Sequence, residues 1–207
     1  MTTHLANGAI ACAVYTGIAI GFIHLSNRDY DIIAEPMSYY AVGVNGFLMT
    51  TIILSFAASV IALGLVLERS VLGLSRAGIA VLKIAGASLV IVAVFPTDVT
   101  VDALPVTVIG LIHTLASYLF SPCLVIAALL LSRRFDDTRL RHAPTFVLAL
   151  ASWLLLIILT TANLLNLQVG GIGQRIFLAA SLMWLIVMAL RVRRKLTWTP
   201  QRDILER

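Results

Sequence analysis

The sequence predicts an all-α fold, a polytopic membrane bundle of six transmembrane helices with both termini cytoplasmic. Three observations predict it. Of 207 residues, 60% are hydrophobic and only 12% charged, about half the charge of an ordinary soluble domain. Mean hydropathy is +0.99, and the apolar residues gather in runs near the roughly 20 that a helix needs to cross hydrocarbon. Finally, of the 15 Lys and Arg, every one except Arg28 and Arg175 falls on one side of the resulting topology, as the positive-inside rule requires. One membrane domain, residues 1–190, is followed by a basic cytoplasmic tail, 191–207.

Taken in order, the spans are 8–26, 44–67, 78–95, 106–132, 145–167 and 176–190. The N-terminal Met1-Thr2-Thr3-His4-Leu5 lacks the basic region of a cleaved signal, so span one is expected to remain as an anchor. Gly17 and Gly21 stand four apart on the face that carries His24, a small-residue pattern that lets a second helix approach closely. That face is expected to be the packed one. Asn45 opens span two. Lys83, the deepest basic residue, is expected to snorkel from span three toward the cytoplasm.

Span four carries His113, Ser117 and Ser121 at four-residue steps, with Gly110 beside them. Such a polar stripe belongs against protein or a water-filled cavity, because polar groups facing lipid are costly. Pro122 removes one helix hydrogen bond and is expected to kink the span. Thr160, Thr161, Asn163 and Asn166 close span five, and Gly170-Gly171-Ile172-Gly173 reads as a tight link to span six. That last span is short, with Arg191, Arg193 and Arg194 able to snorkel at its end.

Cys12 and Cys123 both lie inside apolar segments, where a thiol acts as a small hydrophobe. No Cys-x-x-Cys metal pattern and no disulfide framework is present. The net charge of +5 is topogenic, and no soluble basic domain exists to carry nucleic acid. The partners to expect are the lipid bilayer of the inner (cytoplasmic) membrane and, for the tail from Arg191 to Lys195 with Trp198, anionic lipid head groups. The opposite, extracytoplasmic face holds Asp29, Asp31, Glu35, Asp98 and Asp102 against only Arg28 and Arg175. It is net negative, which favours cations or neutral polar ligands.

The residues with chemistry to offer concentrate near that face. The candidate polar cluster comprises His24, Asp98 and His113 as its centre, with Asp102, Ser38, Tyr40, Asn45 and Ser117 around them. The stretch from Glu35 through Met49, Glu-Pro-Met-Ser-Tyr-Tyr-Ala-Val-Gly-Val-Asn-Gly-Phe-Leu-Met, together with Phe95-Pro96-Thr97-Asp98 and Gly110-Leu111-Ile112-His113, resembles the prokaryotic membrane family designated domain of unknown function 998 (DUF998). The likeness covers spans one to four. It implies an integral membrane protein of similar layout, with Asp98 and His113 at the family's acid and histidine positions, and it implies no activity.

Several readings of the cluster stay open. His24, Asp98 and His113 are suitable zinc ligands, with Asp102, Asp31 or Glu35 as general base, which would make a metal-dependent hydrolase acting on a lipid. No His-x-x-x-His or His-Glu-x-x-His spacing supports it. The two histidines as axial haem ligands would have to face each other, yet their depths differ. A ligand-binding cavity needs no covalent chemistry. In the fourth reading Asp98 caps the start of span four or its preceding turn and hydrogen-bonds His113 or His24, pinning helix ends in a scaffold or accessory protein. Nucleophilic catalysis by Ser38, Ser117 or Ser121 lacks any strained-turn context. The sequence leaves enzyme activity undecided and leans against it.

Overall fold

The computed structural model describes residues 2–70, 74–100, 105–132, 150–151, 153–155, 157–158 and 169–205, with side chains as far as 196. The protein is all-helical over these residues. Helices α1 (Thr2–Ser26), α2 (Gly46–Arg69), α3 (Arg76–Val94), α4 (Val108–Ser132) and α5 (Gly170–Leu205) are joined in part by a 3-10 segment, Met37–Ala41. All five helices are long and apolar enough to cross a membrane. Spans one to four of the sequence reading correspond to α1–α4. Span five, with Thr160, Thr161, Asn163 and Asn166, lies largely outside the described residues, although Ala151 and Trp153–Leu155 are helical.

Along α1, α2, α3 and α4 each helix packs antiparallel on the next, and α1 also packs antiparallel on α5. The latter is fixed by two cross-helix hydrogen bonds at opposite ends, Arg175 Nε to His24 Nε2 (2.7 Å) and Arg193 Nη1 to Asn7 Oδ1 (3.3 Å). The closest approach of α1 is to α2, and alanines make it possible. Ala6, Ala9, Ala13, Thr16, Ala19 and Ile23 are buried at three- and four-residue steps. The Ser59 and Ser55 hydroxyls of α2 donate to the Ala9 and Cys12 carbonyls of α1 at 2.8 and 3.0 Å. The Gly17/Gly21 face is therefore not the tight seam the spacing suggested. A Cβ at Gly17 would find only Leu182 of α5, at 3.9 Å, and one at Gly21 nothing within 4 Å. The alanine stripe does what the glycines were expected to do.

Glycines matter more in α3. A Cβ on Gly86 would meet Ile61 Cγ1 of α2 at 2.5 Å, and one on Gly78 would lie 3.1 Å from Leu130 and Leu131 of α4. These two residues set the distance of α3 from both neighbours. Buried hydroxyls are satisfied within the bundle: Ser88 and Ser181 donate to the carbonyl one turn back, and Ser132 accepts from Trp184 Nε1 at 3.1 Å, as buried polar groups in an apolar medium require. Lys83 does not simply snorkel. Its stem runs over Gly64 and its ammonium pairs with Glu68 at 2.5 Å, both partly exposed. The pair contributes at most about 1 kcal/mol, and Glu68→Gln should leave the unfolding midpoint in detergent nearly unchanged.

The glycine run 170–173 is the first turn of α5 and not a link. Glycine is a poor helix former, but here the backbone of residues 33–35 lies directly on it. A side chain at Gly171 would run into the Glu35 carbonyl and come within 2.8 Å of the Ile33 carbonyl. Ile172 N donates to that same Ile33 carbonyl at 3.0 Å. Span six is accordingly longer than its apolar centre implied. Its membrane-capable part is Gly170–Leu196, 27 residues, and the helix runs on to Leu205, about 54 Å in all at 1.5 Å per residue.

Candidate functional site

His24, Ser38, Tyr40, Asn45, Asp98 and His113, singled out in the sequence, lie at one end of the bundle, where the α1–α2 link, the α3–α4 link and the start of α5 come together. The α1–α2 link is ordered by its own acids. Asp31 Oδ1 accepts from the Ile33 and Ala34 amides (2.8 and 3.2 Å), while Glu35 Oε2 accepts from the Asp31 amide (3.0 Å). This reciprocal arrangement satisfies amides the way a capping box does. Both carboxylates are thereby engaged in a turn, which argues against their use as a general base. Pro36 is extended, and the chain then enters the 3-10 segment, with Met37, Tyr39 and Tyr40 buried.

That segment is the centre of the cap. The Met37 amide donates to Gln174 Oε1 of α5 at 2.7 Å. The Tyr39 hydroxyl donates to the Thr100 carbonyl in the α3–α4 link at 2.9 Å. Tyr40 is edge-on to both His24 (5.5 Å between centroids) and Tyr30 (4.6 Å), with the Arg175 guanidinium 6.0 Å from its ring centre. Four segments, α1, the α1–α2 link, the α3–α4 link and α5, are thus joined through four consecutive residues, Met37 to Tyr40.

Arg175 completes this half. Its Nε donates to His24 Nε2 (2.7 Å), one Nη to the Glu35 carbonyl (2.8 Å) and the other to the Tyr40 hydroxyl (3.4 Å). His24 Nδ1 lies 2.7 Å from the Ile20 carbonyl. A carbonyl only accepts and a guanidinium only donates, so the ring must carry its proton on Nδ1 and present a bare Nε2 to the arginine. Asn45 donates to Asn27 Oδ1 at 3.1 Å, fastening the end of α1 to the start of α2.

The other half centres on Asp98. One carboxylate oxygen accepts from the Val106 and Thr107 amides (2.8 and 2.7 Å), and the other from the Thr107 hydroxyl (2.8 Å). Thr107 Oγ1 in turn accepts from the Gly110 amide at 3.0 Å. Thr107 is therefore the N-cap of α4, its carbonyl accepting from the Leu111 amide. Asp98 braces that cap and the residue before it from eight or nine residues upstream, placing a negative charge near the helix N-terminus where the dipole favours it. Gly110 is part of the device, because a Cβ there would run into the Asp98 carboxylate.

Hydrogen bonds from the Thr107 amide hold the Asp98 carboxyl below its ordinary value of 3.8. The Thr107 hydroxyl, the Val106 amide and the nearby His113 ring act the same way, and desolvation opposes them. The carboxylate thus contributes stability at pH above its unfolded value, and that contribution is lost as pH falls through the lower folded value. Unfolding midpoints of the wild type should decline as pH falls through and below the ordinary carboxylate value of 3.8, and those of Asp98→Asn should decline less.

His113 is buried and serves the end of α3. Its Nδ1 donates to the Phe95 carbonyl (2.7 Å) and is 3.2 Å from the Val92 carbonyl, satisfying acceptors that the helix terminus leaves open. The expected Asp98–histidine hydrogen bond is not formed. Each of the three residues bonds elsewhere, Asp98 to the start of α4, His113 to the end of α3, and His24 to α1 and Arg175. Among the described residues no group of three or more His, Cys, Asp or Glu could hold a metal ion. The donor set does not fit zinc, since both His24 nitrogens and both Asp98 oxygens are engaged, and a haem axial role for His24 meets the same obstacle. Ser38 is half-buried on the 3-10 segment. Ser117 lies farther along α4, its carbonyl accepting from the Ser121 hydroxyl at 3.5 Å. Asp102 is outside the described residues.

A family model described as "Protein of unknown function (DUF998)" matches residues 10–191. The chain belongs to this family. No curated protein and no solved structure is significantly similar to it. The family match extends past the stretches in spans one to four that carried the resemblance and takes in α5 as far as Arg191. In this DUF998 member, the residues that sequence reasoning missed are Arg175, Gln174, Thr107 and Tyr39. Arg175 did leave a signal, being one of two bases on the acidic side, but it was counted there as an exception to a charge rule.

Proposed function

We propose that this DUF998 protein is a six-span protein of the cytoplasmic membrane, with both termini in the cytoplasm, that works as a scaffold or accessory protein. Its polar cap then lies at the extracytoplasmic face and ties helix ends together. The observation that carries this reading is where the hydrogen bonds go. His24, Asp98, His113 and Arg175 direct theirs to backbone and side-chain partners on neighbouring segments of the same chain, as structural ties do. A hydrolase would keep a carboxylate or imidazole in reserve for substrate or metal.

The basic asymmetry supports the orientation, and the Arg- and Lys-rich end of α5 would then meet anionic lipid head groups of the inner leaflet. An alkaline phosphatase reporter fused after Asp98 should be active and one fused after Arg139 inactive; the reverse pattern would turn the protein over. Elemental analysis of purified protein separates scaffold from hydrolase, because one zinc per chain that is lost on changing His24 and His113 to Ala would contradict the scaffold reading.

A further inference from the structure

The two stretches that carried the family resemblance, residues 35–49 and 95–98, converge on a feature the polar cap does not use. The 41–46 turn, the first two turns of α2 and the end of α3 enclose an open cleft of about 520 Å³. This is within the range of about 300–1,000 Å³ typical of small-molecule sites. Its walls grade in character along the helices. Leu54, two turns into α2, lines the part deeper in the spans, whereas Val92 in the last turn of α3, the Thr50 side chain and bare backbone at Gly43 and Gly46 line the part nearer the helix ends.

The glycines keep that end narrow-walled. A Cβ at Gly46 would strike the Ala41 carbonyl, and one at Gly43 would come within 2.8 Å of the Tyr30 hydroxyl. The cleft is open to the outside of the bundle, because Phe47, Leu54 and Val94 line it and are themselves exposed. With Ile91, one turn from Val94 on α3, they form a continuous apolar exposed strip.

In a membrane-spanning bundle that strip faces hydrocarbon, and a recess continuous with it is filled from the same phase. The apolar part of the cleft, left empty, forfeits its dispersion contacts, and water there gains few partners beside Leu54 and Val92. We propose that the cleft binds one acyl chain of a bilayer phospholipid, with the lipid's polar end at the 41–46 turn and Pro96. The assignment does not depend on the scaffold reading or on which way the protein faces.

The test uses the full chain in vesicles of phosphatidylglycerol bearing a photoactivatable group on one acyl chain, with adducts mapped by mass spectrometry. Adducts are expected to concentrate on residues 47–54 and 92–96, well above those on the exposed Ile18 and Phe22 of α1 or Leu115 and Leu119 of α4. Val94→Trp, which fills the cleft from an exposed position, should cut the cleft adducts about tenfold while leaving α1 labelling unchanged. Even labelling of all exposed apolar faces in the wild type would overturn the proposal whether or not the variant folds. So would undiminished cleft labelling in a folded Val94→Trp protein. A reporter-fusion result contrary to the proposed orientation would leave this pattern unaffected, so the two failures are distinguishable.

Discussion

Replacing Arg175 by Met should lower unfolding stability in detergent by roughly 2–3 kcal/mol, the range for losing hydrogen bonds from a charged donor and stranding their acceptors. The arginine holds three segments at once. Its donors reach the last turns of α1 at His24, the α1–α2 link at the Glu35 carbonyl, and the 3-10 segment at Tyr40. Methionine keeps the length and apolar bulk of the stem but supplies no N–H, so His24 Nε2 and the Glu35 carbonyl lose their partner. Lysine should restore only a small part of the loss. An ammonium is a point donor on a flexible stem, whereas the guanidinium spreads its N–H groups in a fixed fork across acceptors on different segments. Thermal or denaturant unfolding of the three proteins side by side checks the order wild type, Lys, Met.

Gly171→Val should have a comparable or larger effect by an opposite route, overpacking. The site is buried, and a Cβ there meets two backbone carbonyls, those of Glu35 and Ile33, together with the Arg175 guanidinium. Backbone atoms cannot rotate away as a side-chain end can, so the 33–35 turn has to lift off α5. Inserting carbon atoms into a packed site costs about 1–3 kcal/mol or more. Here the displacement also separates Ile172 N from the Ile33 carbonyl and Met37 N from Gln174. The contrast is Gly21→Val on α1, where nothing stands within 4 Å and the midpoint should barely move. The two substitutions, measured in the same detergent, separate glycines needed for close approach from those that only resemble a packing motif.

The helices were legible because a single physical requirement dominates the composition. Twenty or so consecutive apolar residues have few other uses, and α1 to α4 begin and end close to the positions that hydropathy gives, apart from the first turns of α1. That Asp98 fastens the turn before α4 was legible too, since an acid after Phe-Pro in the link ahead of an apolar run is a natural acceptor for the amides there. Its partners were not, because Thr107 lies nine residues on and the return of the link cannot be read from local pattern.

Pairings between distant segments were the least legible. Nothing in the sequence relates Arg175 to His24 across some 150 positions, and the rule that explained the other arginines left this one as residue. The start of α5 was misread for a related reason. Three glycines in four positions argue against helix on propensity alone, and only the 33–35 turn lying across Gly171 makes a side chain impossible at that position. Gly17 and Gly21 show the converse, a spacing that looks like a tight contact on a face where the neighbour stands off.

The central claim is that His24, Asp98, His113 and Arg175 are structural ties between helix ends. A double-mutant cycle across His24 and Arg175 tests it most directly, with His24→Phe, Arg175→Met and the double variant unfolded under one set of conditions. Residues joined by a direct hydrogen bond couple by about 0.5–3 kcal/mol. The account predicts a favourable coupling in that range, the double variant being little less stable than Arg175→Met alone. Strictly additive losses would contradict it, as would single variants that unfold at the wild-type midpoint.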